Sequence, residues 1–192
     1  MIEHVRLSYP ESITPVTCEA LVKASCEEHT KMPGTSLGVM RGPSWASLKQ
    51  RSWDWAPYAH AHQWVAEAFI RQLPPEILAL RDFYRQSRTG HGFETCDVQI
   101  WHTQLYRGGE IGAHDHRMAL WSGAFYPEDI EEGAAGGLLC FGSVKHWMPV
   151  IPRAGLLVTF PPTLNHWVSV YEGARPRLSI SMNLHWPEEQ RP

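Results

Sequence analysis

From about residue 92 to residue 186 the sequence is a succession of short β-type segments, each closed by Gly or Pro. Branched and aromatic residues recur in them, and the breakers come too often for helices of useful length. The segments fall at 96–106, 113–116, 119–126, 137–142, 147–151, 156–160, 166–171 and 176–185, roughly eight strands in about ninety residues. Strands this short need a second sheet to cover them, so the pattern predicts a small sandwich or barrel. The last segment is the most informative. Arg177, Ser179, Ser181 and Asn183 fall on one face, and Leu178, Ile180, Met182 and Leu184 fall on the other. The polar face is expected to look into a wet pocket and the apolar face to meet helices.

Those helices are expected upstream. Residues 17–30 follow Thr14-Pro15, a cap-then-proline start, and end before the Pro33-Gly34 breaker. Residues 60–73 place Trp64, Val65, Phe69, Ile70 and Leu73 at helical spacing. Residues 75–86 open on Pro75 and carry Ile77, Leu78, Leu80 and Phe83. The reading is one domain over 1–192, with a helical support region at 1–91 and a β core at 92–186. A chain of 192 residues suffices for one such core.

The net charge of -3, without a basic run, gives no footprint for nucleic acid. No apolar stretch approaches membrane-spanning length, and the start MIEHVRLSYPES has no signal-peptide core. Cys18, Cys26, Cys96 and Cys140 are scattered, without a CxxC pair, as for free buried thiols in a reducing compartment. A cytoplasmic protein is expected, with neither nucleic acid nor membrane as a partner.

The chemistry is carried by His114-Asp115-His116, by His166 fifty residues on, and by Arg177-Leu178-Ser179. Side chains at i and i+2 of a strand point to one face. A third imidazole on a neighbouring strand completes a three-point ligand set and leaves open positions on the far side, as in non-haem Fe(II) oxygenases. On a regular strand Asp115 points away and the site is three-His. With a bulge, Asp115 replaces His114 or His116 as a ligand. The three-His arrangement is the favoured one. A guanidinium on the strand after the last ligand suits the far carboxylate of a bound di-acid.

In this order the residues resemble the double-stranded β-helix (jelly-roll) oxygenases that use Fe(II) and 2-oxoglutarate. Tyr106-Arg107-Gly108-Gly109 leads into His114. Leu120 to Tyr126 looks like the strand after the first ligand motif. Gly155 to Pro161 looks like the strand and turn that present the distal ligand. Arg177-Leu178-Ser179 follows His166 at the spacing of the 2-oxoglutarate anchor. More narrowly, the stretch is similar to a bacterial subgroup with His-x-His in place of His-x-Asp. The resemblance covers about 98–186 and implies a mainly β jelly roll with helices on one sheet.

It also implies Fe(II) on His114, His116 and His166, with 2-oxoglutarate as cosubstrate and O2 as oxidant. The distal carboxylate would meet Arg177, Ser179 and Tyr106. His102, Gln104, Ser122 and Asn183 would line the pocket. The implied reaction hydroxylates an unactivated C–H bond of a small or amino-acid-like molecule, with release of succinate and CO2. A neutral triad leaves the metal more positive than a two-His, one-carboxylate site, which raises its reduction potential.

Two other readings share the ligands: a three-His cupin-type thiol dioxygenase without 2-oxoglutarate, and a non-catalytic jelly roll that binds metal or a small molecule. The first has no need for an Arg-x-Ser after the distal His, and the second would bind metal without consuming oxygen. The same pattern accommodates a homodimer through a sheet edge or the helical region. Elsewhere, His60 and His62 fall at a helix start, where i and i+2 do not face each other, and read as capping or surface groups. His91, His146 and His185 stand outside any ligand-like spacing. Arg175 reads as solvent-exposed, and the acidic run Glu128 to Glu132 as a solvated loop.

Overall fold

The computed structural model of the chain describes residues 4–31, 38–51, 54–86, 98–143 and 145–185. The Pro33-Gly34 breaker, His91, Cys96, the texture change near residue 92 and the start of the strand expected from 96 lie outside the described residues.

The three expected helices form, as α1 (Pro15–Lys31), α2 (Ala59–Arg71) and α3 (Pro75–Gln86). At the start of α1 the Thr17 amide donates to Thr14 Oγ1 at 3.3 Å, and Pro15 occupies the position where an amide would go unused. Four short strands accompany the helices: β1 (Arg6–Ser8), β2 (Met40–Arg41), β3 (Ser44–Ala46) and β4 (Gln50–Arg51). The region before residue 92 is therefore more than a helical support, because these strands extend both sheets. Two or three residues are too few to show a period, which is why the sequence pattern does not reveal them.

Eight strands follow: β5 (Val98–Leu105), β6 (Glu110–His114), β7 (Ala119–Tyr126), β8 (Leu139–Gly142), β9 (Trp147–Val150), β10 (Leu156–Phe160), β11 (His166–Val168) and β12 (Arg177–His185). The larger sheet runs β1-β10-β7-β12-β5-β3, with β4 also on β5, and the smaller runs β2-β6-β11-β8-β9. From β5 onward successive strands alternate between the two sheets, except that β8 and β9 form a hairpin within the smaller one, as in a jelly roll. Two strands end earlier than expected. β6 stops at His114 rather than 116, and β11 stops at Val168, leaving Tyr171 only an isolated bridge to Gly136.

Each face of the larger sheet has its own apolar core. Leu178, Ile180, Met182 and Leu184 of β12 pack with Leu21 of α1 and with Ala61, Val65 and Phe69 of α2. On the other face Leu105, Tyr126, Val158 and Phe160 meet Leu139, Phe141 and Val168 of the smaller sheet. β7 and β10 are buried along their whole length because both of their faces are covered. Gly123 of β7 sits where α2 comes closest: a Cβ there would lie 2.8 Å from the Phe69 ring. Among the described residues no helix is long and apolar enough to cross a membrane. Of the cysteines, Cys140 is buried and Cys18 partly so, whereas Cys26 is exposed, against the expectation of buried thiols.

His62 also departs from expectation. His60 is exposed, but His62 is fully buried, with its Nε2 2.8 Å from Nε2 of His102 on β5. His62 Nδ1 donates to the Tyr58 carbonyl at 2.8 Å, so its Nε2 must accept and His102 Nε2–H must donate. Trp55 stacks on both rings, at 4.5 and 4.4 Å between centroids. The pair thus joins α2 to the larger sheet as two neutral imidazoles. Burial pushes the pKa of His62 down to about 4 and that of His102 well below its ordinary 6.5.

The unfolded chain takes up protons at these sites before the folded one does, so stability should be full above pH 6.5 and fall as pH drops toward about 4. The loss from His62 alone is of the order of 3 kcal/mol. Chemical denaturation of metal-free protein between pH 7.5 and 5 measures the slope. The double variant His62→Gln/His102→Gln should show a smaller slope, and an unchanged one would refute a neutral pair.

Candidate active site

The three histidines converge from different elements. His166 on β11 lies directly opposite His114, the last residue of β6. His116 is not carried there by strand alternation, because the strand has already ended. A turn does it: the His116 amide donates to Pro162 O, and the Ala119 amide to His116 O, each at 2.7 Å. The turn swings the ring toward β12 of the other sheet. One nitrogen from each of the three rings lies within 4.8 Å of the others, with His116 Nε2 and His166 Nε2 3.2 Å apart.

The outer nitrogens decide which atoms are free to bind. His114 Nδ1 donates to Gly112 O and His166 Nδ1 to Leu164 O, both at 2.9 Å, leaving each Nε2 lone pair open. His116 Nδ1 lies 3.1 Å from Asn183 Nδ2, and Asn183 Oδ1 accepts from Ser122 Oγ at 2.8 Å. With that amide turned over, which exchanges only its N and O, Asn183 Oδ1 accepts from Nδ1–H, Nδ2 donates to Ser122 Oγ, and His116 too presents a bare Nε2. Burial lowers all three pKa values, to about 3 for His116 and about 4 for His166; repulsion from the neighbouring rings adds to it at those two, and the Lys49 ammonium adds to it at His114. The rings are therefore neutral lone-pair donors at ordinary pH, the state in which imidazole binds a metal. The Asp115 carboxylate takes Arg117 Nε at 2.8 Å and stands outside the cluster. The alternative in which it replaces a histidine finds no support in this geometry.

The cluster forms one wall of a cavity of about 290 Å³ between the sheets. Deeper in the same cavity lies Arg177, only 3% exposed. Its Nε donates to Gly137 O at 2.7 Å, one terminal nitrogen to Ser179 Oγ at 3.2 Å, and the other to Tyr126 OH at 3.3 Å. Among the described residues no carboxylate pairs with it. A buried guanidinium held by neutral groups alone is a charge awaiting an anion. Tyr126 escaped the sequence reading, although it shares the parity of Ser122 and Ala124 on β7, which would have placed it on the cavity face.

Two expected pocket residues, His102 and Gln104, and one expected contact to the distal carboxylate, Tyr106, lie elsewhere. Opposed residues of an antiparallel pair project to one side, and Arg177, Ser179 and Ser181 oppose Leu105, Thr103 and Trp101. Odd-numbered residues of β5 therefore face the cavity, and even-numbered ones face the helices. His102 meets α2 as described. Gln104 Nε2 donates to Ser25 Oγ of α1 at 2.8 Å. Tyr106 OH donates to Gln104 Oε1 at 2.7 Å, not toward Arg177. Tyr126 stands beside the guanidinium instead. Ser122 and Asn183 are on the cavity side, but behind His116 rather than in the lining.

The acidic run is not a free loop. Asp129 accepts from the Ala154 amide at 3.1 Å, and Glu131 accepts from the Ala174 and Arg175 amides at 2.6 and 2.8 Å. These bonds lower the Glu131 pKa, that from Arg175 most. They tie the run to the segment entering β12, next to the Gly137 carbonyl that holds Arg177. Gly137 has φ +67° and leaves no room for a side chain, since a Cβ would come within 3.1 Å of Arg177 Cδ.

Within this jelly roll one cavity brings together three imidazole lone pairs that could hold a metal ion and, beside them, a buried guanidinium without a carboxylate partner among the described residues, which suits an anion. Residues 99–183 match the family described as "Putative 2OG-Fe(II) oxygenase". The match spans 85 of the 192 residues and takes in both the imidazole triad and Arg177, and over this region the chain is similar to that family. In structure it is similar to a prolyl-4-hydroxylase from Pseudomonas putida, at 18% identity and TM-score 0.69, over 96% of this chain and 94% of that one. It is also similar to a prolyl hydroxylase from Trichoplax adhaerens, at 10% identity and TM-score 0.64, over 99% and 86% of the two chains. The dioxygenase for auxin oxidation 1 from Arabidopsis thaliana gives 14% identity and TM-score 0.61, over 98% and 85%. At these identities the structures support the fold alone. Comparison with curated protein sequences gives no match.

If Arg177 waits for a ligand, it should add little to the stability of the ligand-free protein. Arg177→Met should then unfold at the same denaturant concentration as the wild type or a higher one. A loss of several kcal/mol in chemical denaturation would make the guanidinium structural.

Proposed function

We propose that His114, His116 and His166 hold Fe(II), and that Arg177, with Tyr126 OH and Ser179 Oγ beside it, holds the distal carboxylate of 2-oxoglutarate. The observation that carries this reading is the buried arginine without a carboxylate partner, in the same cavity as three inward imidazoles. When bound, iron with 2-oxoglutarate and O2 supplies the oxidising power, and succinate and CO2 are released. The chain's own residues bind, orient and shield. The planar, permanently charged guanidinium suits a carboxylate, and its orientation is held by Gly137 O. Asn183 and Ser122 fix the tautomer and tilt of His116, as carbonyls do for the other two rings. Leu139, Phe160 and Val168 give the cavity apolar walls that keep water from the reacting atoms.

The substrate in this reading is a small molecule oxidised at an unactivated C–H bond. A cavity of about 290 Å³ sits at the lower end of the roughly 300–1,000 Å³ usual for ligand sites, and the cosubstrate takes part of it. A thiol dioxygenase or a simple metal sensor would leave Arg177 uncompensated, which disfavours both.

Anaerobic titration of the protein with Fe(II) and then 2-oxoglutarate should give a weak visible charge-transfer band that needs both components and is lost in Arg177→Ala. Stoichiometric Fe(II) binding without a band would overturn the cosubstrate assignment. Asn183→Ala should weaken metal affinity about 10- to 100-fold with Arg177 untouched. Unchanged affinity would show that His116 is not a ligand held this way.

A further inference from the structure

One cation in the cavity has no part in the mechanism above. Lys49 lies between β3 and β4, and its ammonium is 4.5 Å from the centroid of the Trp101 ring. That ring lies 6.2 Å from the ring of His116. The Lys49 ammonium is thus one aromatic ring away from the imidazole triad, and it lines the same cavity as His114, Val39 and Ile111. The residue is exposed as a whole, but its charged end is folded over an aromatic wall rather than extended into water. Burial lowers its pKa, and no acidic group contributes to the shift.

No carboxylate among the described residues forms an ion pair with Lys49. Asp115, the one acidic residue in the cavity lining, is taken up by Arg117. The charge balance then matters. Three neutral imidazoles, a divalent ion, the Arg177 cation and a doubly charged di-acid leave one net positive charge. Lys49 adds a second. Two positive charges around a small, partly apolar cavity favour a second anion over a neutral guest.

We propose that the substrate is a small carboxylic acid whose carboxylate pairs with Lys49 and whose apolar body lies along Trp101, Val39 and Ile111. This deepens the reading of the site as a 2-oxoglutarate oxygenase and rests on it for the charge count. Lys49 would fix which end of the substrate faces outward and so which carbon lies near the metal.

The test uses full-length protein loaded with Zn(II), which binds imidazole without redox chemistry. Phenylacetate, hexanoate and N-acetylglycine are titrated calorimetrically, each beside its primary amide, with and without 2-oxoglutarate. The expected result is that at least one acid binds better than its amide. Lys49→Gln should weaken that acid about 10- to 100-fold and Lys49→Arg should restore part of the loss, with 2-oxoglutarate affinity unchanged in both. Equal binding of acid and amide, an acid affinity insensitive to Lys49→Gln, or no acid bound at millimolar concentration would each overturn the proposal. Failure of the wild type to bind 2-oxoglutarate would instead overturn the underlying reading. The acid–amide contrast in its absence would still judge Lys49.

Discussion

The register of β12 between β5 and β7 is the constraint on which the rest depends. Arg177 opposes Leu105, and Asn183 opposes both Gln99 and Ser122. Because side chains alternate, this pairing sends Leu178, Ile180, Met182 and Leu184 to the helices and Arg177, Ser179 and Ser181 into the cavity. A slip by one residue would bury three polar groups and a cation against α1 and α2, and would expose four apolar side chains to the wet pocket. The core that fixes the register and the site that uses it are two faces of one strand. Burial on the helix side, at about 25 cal/mol per Å² of apolar surface, offsets the cost of a buried cation on the other.

The cost of the site appears where polar groups are buried without full pairing. Arg177 is satisfied by a carbonyl, a hydroxyl and a phenol but not by a charge. The three imidazoles crowd together as neutral groups, their protonation opposed by burial and by one another. Both features oppose stability in the ligand-free chain, and both make sense once a cation and a dianion enter together. Metal and di-acid would each offset the charge of the other's protein ligands, so their binding is expected to be coupled.

Local pattern made much of this legible. The three helices and eight jelly-roll strands follow from period and from Gly and Pro punctuation. The alternation in 177–184 announces which residues meet the helices. His114, His116, His166 and Arg177 stand out because their residue types and order have one economical chemical reading. Other features were not legible. β2 and β4 have two residues each and carry no period. His62 looked like a helix-start surface group, yet the first turn of α2 lies against β5, and only that packing creates its bond to His102.

The sequence by itself determined the elements, the alternation along each strand and the set of chemically capable residues, because these depend on neighbours a few positions apart. Only the tertiary structure decided which residues share a cavity. The pairing of β5 with β12 turns His102, Gln104 and Tyr106 toward the helices and brings Thr103 and Trp101 to the site. The pairing of β7 with β10 and β12 delivers Tyr126 to Arg177. A turn closed by Pro162, not strand periodicity, carries His116 to the triad, and the loop between β3 and β4 brings Lys49 over Trp101. Each of these joins residues distant in sequence. Strand register and layer packing set such contacts, and no local run of residues encodes them.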